Sequence, residues 1–150
     1  MLEKQIEQDL KTALLAGDRL KTDTLRSIKS ALLYAKVEKG KRESGLSPEE
    51  EIAVLGRESK KRQESADLYR QGNNDERAQA ELAEKAVIDH YLPEQMTEDE
   101  IKKLVNETIA EQGATDMSAM GKVIAAVKEK SSGSADGAII ARLVKESLSQ

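Results

Sequence analysis

The apolar positions of this chain recur at intervals of three and four residues, which predicts helices and no strand. In the N-terminal part the stripes predict helices over about residues 2–16 and 19–39. Their apolar positions are Leu2, Ile6, Leu10, Ala13 and Leu14 in the first, and Leu25, Ile28, Leu32 and Ala35 in the second. Gly17 stands where a left-handed C-terminal cap of the first helix would lie.

A third helix has the clearest start in the chain. Ser47-Pro48-Glu49-Glu50 supplies an N-cap, a proline at the first helical position and a capping-box glutamate. The pattern then continues without a stop signal to Gly72. A fourth, alanine-rich helix is predicted over about residues 75–91, and Pro93 ends it. The residues that share its apolar face are Ala80, Ala83, Val87 and Tyr91.

The segment Pro93–Met96 is the best candidate for a domain boundary. Beyond it, Thr97 and Glu100 form another capping box, and the helix that follows is closed by Gly113. Two further helices are predicted over about residues 118–130 and 135–148. We therefore divide the chain into an N-terminal helical domain, 1–93, and a C-terminal bundle of three short helices, 94–150.

Composition excludes several kinds of chemistry. The 150 residues include no Cys, Trp or Phe and a single His. Disulfides, thiol nucleophiles and multi-histidine metal sites are therefore excluded. The N-terminus lacks an apolar signal core, and no apolar run approaches the length of a membrane span. We expect no metal, no cofactor and no membrane contact, and a cytoplasmic location.

The charge is unevenly distributed. The net charge of −4 argues against a general polyanion binder. Residues 19–42, however, contain eight basic and two acidic side chains, which gives a local charge of +6. Arg26 and Lys29 lie in this basic segment and are candidate RNA contacts.

Lys122 is the sharpest binding candidate. It follows Gly121 near a predicted helix N-terminus, where free N–H groups and the helix dipole attract anions. A phosphate contact is one interpretation, with Lys128 and Arg142 extending the surface. The other is that Gly121 permits a tight helix crossing and the lysine is simply solvated. The few aromatic residues argue against stacking on unpaired bases, so any RNA contact would be through shape and phosphates.

Three other residues have a structural and a functional interpretation. Arg62 lies on the more apolar face of the third helix, so it needs a partner, and Glu84 is a candidate. The alternative role of Arg62 is RNA contact. His90 could act as a general base and Ser132 as a nucleophile, but each also fits an ordinary helix end. No catalytic constellation is visible.

Short motifs along nearly the whole chain resemble the GatB/YqeY family. They include Asp89-His90-Tyr91-Leu92-Pro93-Glu94-Gln95, Gly113-Ala114, Met120-Gly121-Lys122-Val123 and Ala135-Asp136-Gly137. The resemblance implies an all-α fold, with an N-terminal domain of about four helices followed by a three-helix UBA-like domain. Members of this family are similar to the C-terminal tail of the B subunit of glutamine-dependent aminoacyl-tRNA amidotransferase. In that enzyme the tail helps to hold the tRNA. The family label, carbon–nitrogen ligase with glutamine as amido-N-donor, is implied by resemblance only.

Three hypotheses follow. The first is a non-catalytic module that binds tRNA or a tRNA-modifying or aminoacylation enzyme. Its RNA contacts would be Lys122, Lys128, Arg142, Arg26 and Lys29, with Arg62, Glu84, Gly121 and Pro93 in structural roles. The second is a protein-interaction adaptor without RNA binding. The third is an independent amidotransferase that depends on His90 or Ser132.

Overall fold

The computed structural model describes residues 1–149 and contains seven α-helices. They are α1 (Leu2–Ala16), α2 (Arg19–Glu38), α3 (Pro48–Gln71), α4 (Asp75–Asp89), α5 (Glu98–Gln112), α6 (Met120–Ser131) and α7 (Gly137–Leu148). A short 3-10 helix, Met117–Ala119, precedes α6. No strand occurs among these residues, and the all-α prediction is confirmed.

The chain separates into two compact units. The first is Met1–Leu92, which holds α1 to α4, and the second begins at Pro93 and holds α5 to α7. Pro93 has no backbone N–H with which to extend α4, whose last helical residue is Asp89. The similarity of the second unit to a UBA domain stays a prediction.

The predicted helix boundaries rest on cap chemistry that the structure confirms. Ser47 accepts a hydrogen bond from the Glu50 N–H, and Glu50 accepts one from the Ser47 N–H. Thr97 and Glu100 repeat this capping box at the start of α5. Gly17 and Gly113 end their helices in the left-handed region, with φ of 69° and 63°. Local sequence therefore decides where these helices begin and end.

The core of the first unit is almost entirely aliphatic. Its buried apolar residues are Ile6, Ala13, Leu25, Ile28, Leu32, Ala35, Leu46, Val54, Leu55, Ile88 and Tyr91. The chain has no Phe or Trp to fill wide gaps, so the helices must approach closely. The long pairing of α3 with α4 supplies the largest helix contact in the unit.

The predicted apolar face of α4 is half right, because Val87 packs against the core and Tyr91 is buried, whereas its two alanines are not. Ala80 and Ala83 are exposed, whereas Ala78 and Ile88 are buried. Alanine buries little surface, so a stripe of alanines does not decide the rotation of a helix. The large side chain of Ile88 decides it instead. Leu14, assigned to the inward stripe of α1, is likewise exposed.

Arg62 joins three helices of the first unit. Its guanidinium lies 2.5 Å from Glu58 on its own helix and 3.4 Å from Glu84 on α4. It also donates to the Ser27 hydroxyl on α2 at 2.9 Å. The Arg62 side chain is only 13% exposed, so water has little access to the guanidinium and cannot readily substitute for these partners. The pairing with Glu84 considered from the sequence is therefore present, alongside two partners that the sequence did not indicate.

Two further polar contacts tie α1 to its neighbours. Tyr91, beyond the end of α4, donates its hydroxyl to Asp9 of α1. Burial, together with this contact to Asp9, raises the pKa of Tyr91 above its usual range. The buried Glu51 of α3 accepts the Leu2 N–H at 3.2 Å. A carboxylate at this place satisfies one of the free N–H groups at the α1 N-terminus.

The second unit has its own apolar core. Its buried apolar members are Ile101, Val105, Val123, Val127, Ile140, Leu143, Val144 and Leu148. All three helices contact one another. The segment before α5 is fixed to the turn before α7, because the Met96 N–H donates to the Ser134 carbonyl at 2.7 Å. The unit thus has a closed core of its own.

Replacing Arg62 with alanine should destabilise the first unit by about 2–3 kcal/mol, since it leaves Glu58 and Glu84 without their shared partner. Tyrosine fluorescence during urea unfolding measures this loss. It reports the first unit alone, because Tyr34, Tyr69 and Tyr91 all lie there. The control is Arg57→Ala, an exposed position on the same helix, which should change the unfolding free energy by less than about 0.5 kcal/mol. Equal losses in the two variants would contradict the three-helix role of Arg62.

Glu50 should make stability depend on pH in the acid range. Hydrogen bonds from Lys41, the Ser47 N–H and Lys39 hold the pKa of Glu50 at about 2, against an ordinary value of 4.5. Because the folded pKa is depressed, the contribution is complete above pH 4.5 and disappears as the pH falls towards 2. Glu50→Gln should therefore lower Tm at pH 7 and have little effect near pH 2. The neighbouring exposed Glu49→Gln serves as control, and a Glu50→Gln effect independent of pH would refute the assignment.

Candidate functional site

A shallow cleft of about 510 Å³ lies where α5 passes into α6. It is lined by Gln112, Gly113, Ala114, Thr115, Asp116, Ser118, Ala119 and Lys122. Gly113 in its left-handed conformation turns the chain out of α5. The 3-10 helix then leads directly into α6. The cleft is thus built from the segment that contains Gly113 and Lys122.

Lys122 is the one basic side chain that lines this cleft. It is the third residue of α6, it is exposed, and it makes no ion pair within residues 1–149. The Gln112 amide donates to its carbonyl at 3.5 Å, which joins the two walls. Ala119, before α6, offers no side-chain acceptor to the first N–H groups of the helix. The 3-10 helix already uses the Met120 N–H, which donates to the Met117 carbonyl, and so an anion here would be attracted by the Lys122 ammonium rather than by free N–H groups at the helix start.

Asp116 opposes an anion in the same cleft. Its carboxylate accepts from the Ser118 hydroxyl and from the Ser118 N–H, the latter at 2.9 Å. These contacts lower the pKa of Asp116, so the group stays ionised at neutral pH. The cleft therefore carries one positive and one negative charge. A single small anion would gain little there, whereas an extended polyanion can contact Lys122 and pass Asp116 by.

Lys128 lies on the other flank of the same helix. Six residues separate it from Lys122, which corresponds to about 120° around the axis and about 9 Å along it. A Cβ placed on Gly137, at the start of α7, would lie 3.4 Å from the Lys128 Cε. Lys122 instead lines the cleft beside the end of α5. The two lysines thus occupy separate surfaces of α6.

Arg142 is occupied by carboxylates. It pairs with Glu98 of α5, and with Glu146 of its own helix at 3.3 Å. The pairing with Glu98 raises the pKa of Arg142 further. A phosphate would have to displace these carboxylates. Arg142 is therefore a weaker candidate for phosphate contact than the sequence alone indicated.

The basic segment 19–42 is partly neutralised in the same way. Arg26 is 4.0 Å from Asp23, and Lys29 is 3.1 Å from Glu7. The other pairs join Lys36 to Glu3, and Lys39 and Lys41 to Glu50. Most of these carboxylates belong to α1 and α3, so counting charge along residues 19–42 could not include them. The apparent +6 segment does not form a free cationic surface of that size.

Gly121 and Pro93 have simpler surroundings than the sequence suggested. A Cβ added to Gly121 would meet no atom within 4 Å, and the residue is exposed. The interpretation of Gly121 as the point of a tight helix crossing is therefore wrong, because no helix approaches it. Pro93 begins the second unit, is partly buried, and accepts a hydrogen bond from the Gln95 amide at 3.4 Å through its carbonyl.

His90 and Ser132 are each held as parts of helix ends. His90 is the exposed C-cap of α4, and its ring lies edge-on to Tyr91 at 5.4 Å. Ser132 caps α6 with φ of 49°, and its hydroxyl donates to the Glu129 carbonyl at 3.3 Å. In the described part of the chain neither side chain is hydrogen-bonded to a residue that would activate it. The geometry matches the helix-end interpretation of both residues.

Within 1–149, no three His, Asp or Glu side chains lie close enough to hold a metal ion. None of the helices in that range combines the length and the apolar character needed to cross a membrane.

Comparison with known proteins matches the chain to a protein family and to a curated relative. The family model described as "Yqey-like protein" matches residues 3–148. A curated protein of the yeast Meyerozyma guilliermondii, "Altered inheritance of mitochondria protein 41, mitochondrial", is 26% identical over 121 residues. The match covers 75% of this chain, and the chain spans about 60% of the length of that relative.

The open surroundings of Gly121 give a direct test. Gly121→Ala should stabilise the second unit by about 0.5–1 kcal/mol, because alanine is the better helix former and its methyl meets nothing. Gly113→Ala is the matched control and should destabilise by about 1 kcal/mol, since φ there is 63°. Urea unfolding followed by circular dichroism measures both, as the second unit has no aromatic residue. A loss of stability in Gly121→Ala would restore the helix-crossing interpretation.

Proposed function

The chain belongs to the YqeY-like family, and from this premise we propose that it is a non-catalytic module that binds folded RNA of the tRNA class. The second unit makes the contact, and Lys122 is the principal phosphate ligand. This proposal includes the UBA-like nature of the second unit and the resemblance to the amidotransferase tail. It is also compatible with association with a tRNA-modifying or aminoacylation enzyme.

The observation that carries the proposal is the unpaired Lys122 at the edge of the α5–α6 cleft. Most other candidate cations in the chain are held by carboxylates, and a paired cation releases less free energy when it meets a phosphate. Lys122 loses no partner on binding within the described residues. Gly121 leaves the approach to the first turn of α6 unobstructed, since nothing lies within 4 Å of its Cβ position.

The contact would be electrostatic and shape-dependent. No aromatic side chain occurs in the second unit, so bases have no ring on which to stack. A folded RNA presents rows of phosphates, and Lys128 on the other flank of α6 provides a second, separate contact for an RNA that wraps the helix. Arg142, Arg26 and Lys29 contribute only where phosphates displace their carboxylates.

Titration of the full chain into labelled total tRNA at several salt concentrations tests this function. Lys122→Ala should weaken binding about 3- to 10-fold and reduce the salt slope by about 1, because one phosphate contact is lost. The matched control is Lys103→Ala, another exposed lysine of the second unit without an ion pair in residues 1–149. It should bind like the parent chain.

Two results would overturn the proposal. One is absence of binding at low salt, where phosphate contacts are strongest. The other is an equal effect of the two lysine substitutions, which would indicate nonspecific attraction. Either result would favour the second candidate function, a protein-interaction adaptor. The net charge of −4 and the partial neutralisation of the basic segment 19–42 support that alternative.

A further inference from the structure

Three leucines are left in solvent where α1 turns into α2. Leu15 is 91% exposed, Leu14 is 49% exposed and Leu20 is 41% exposed. They stand on either side of the Gly17 turn and are called here the turn surface. Single exposed leucines are ordinary, but three of them flank this one turn.

The charged side chains around this turn surface have mainly one sign. Lys11, Arg19 and Lys21 make no ion pair within residues 1–149. Two carboxylates lie near them in the chain: Asp18 caps α2 by accepting the Lys21 N–H at 3.1 Å and keeps its charge, and Asp23 lies beside Arg26. An occupant of the turn surface would therefore present apolar side chains together with free carboxylates.

Lys21 also borders a concave site in the first unit. It lines a cleft of about 280 Å³ together with Ala86, Val87, His90 and Tyr91. The other side chains of this lining are predominantly apolar, and Lys21 provides its ammonium. Such a cleft fits an apolar side chain that is followed by an acidic one.

We propose that the turn surface docks an acidic amphipathic helix of a protein partner. Leu14, Leu15 and Leu20 would pack against its apolar stripe, and Lys11, Arg19 and Lys21 would meet carboxylates beside that stripe. This is the helix-on-apolar-surface mode of recognition, with charges selecting the partner.

A protein helix fits this surface better than a lipid bilayer or RNA. The first unit holds 17 basic and 18 acidic side chains over residues 1–92, so its net charge is −1, and the whole chain has a net charge of −4. Long-range attraction to an anionic membrane or to a polynucleotide would be weak. A phosphate backbone would also provide no apolar surface against which the three leucines could be buried. Short-range pairing of these basic side chains with a few carboxylates does not require long-range attraction.

Selection from a displayed library of peptides about four helical turns long tests the proposal with the full chain as bait. Enriched peptides should carry apolar residues at i and i+4 with Asp or Glu beside them. The affinity of one enriched peptide, measured by fluorescence anisotropy, should fall at least about tenfold for Leu15→Ser, since a central anchor is lost. Replacing its Glu residues with Gln should weaken binding and remove its salt dependence.

Leu68→Ser is the matched control, because Leu68 is also an exposed leucine, at 67%, on α3. It should leave peptide affinity unchanged, and circular dichroism should show both variants folded like the parent. Enrichment of peptides without acidic residues, or equal binding by Leu15→Ser, would overturn the proposal. So would binding of phosphatidylserine vesicles or RNA that is lost in Leu15→Ser. The readout is separate from Lys122, so this inference and RNA binding by the second unit stand or fall independently.

Discussion

The guanidinium of Arg62 is the polar contact on which the arrangement of the first unit depends. Three helices offer it acceptors, and the surrounding core is aliphatic and adapts to several packings of similar volume. A planar donor with fixed directions is more selective than leucine packing. The same contact explains why α3 tolerates a charged residue on its more apolar face. The first unit therefore combines a permissive core with one directional polar junction.

Ion pairs also decide which charges are free for function. The basic run over residues 19–42 was a candidate binding surface, but three carboxylates from α1 and α3, namely Glu3, Glu7 and Glu50, offset half of its charge of +6. Within residues 1–149 the cations without an ion pair are dispersed, and they include Lys122 at one cleft, Lys128 about 120° further around α6, and Lys11, Arg19 and Lys21 around the α1–α2 turn. Both proposals therefore depend on small, separate groups of charge, and the acidic net charge opposes general polyanion binding.

The two proposed surfaces have different physical characters. The cleft beside Lys122 is polar, carries both signs of charge and has no ring for stacking. The turn surface is apolar with a basic surround. The two proposals concern separate units of the chain, and each has its own test.

The sequence by itself determined the helices, their ends and the family. Caps such as Ser47 with Glu50 act within a few residues, so local pattern is sufficient to place them. Tertiary structure decided what depends on distant residues: which face of α4 is buried, which carboxylates neutralise α2, and that Gly121 is open rather than packed. Alanine stripes and charge counts carry no information on these points, because burial and pairing depend on which helices become neighbours. Lys122 was visible in the sequence, but only the structure separated it from Lys128 and placed Asp116 beside its cleft.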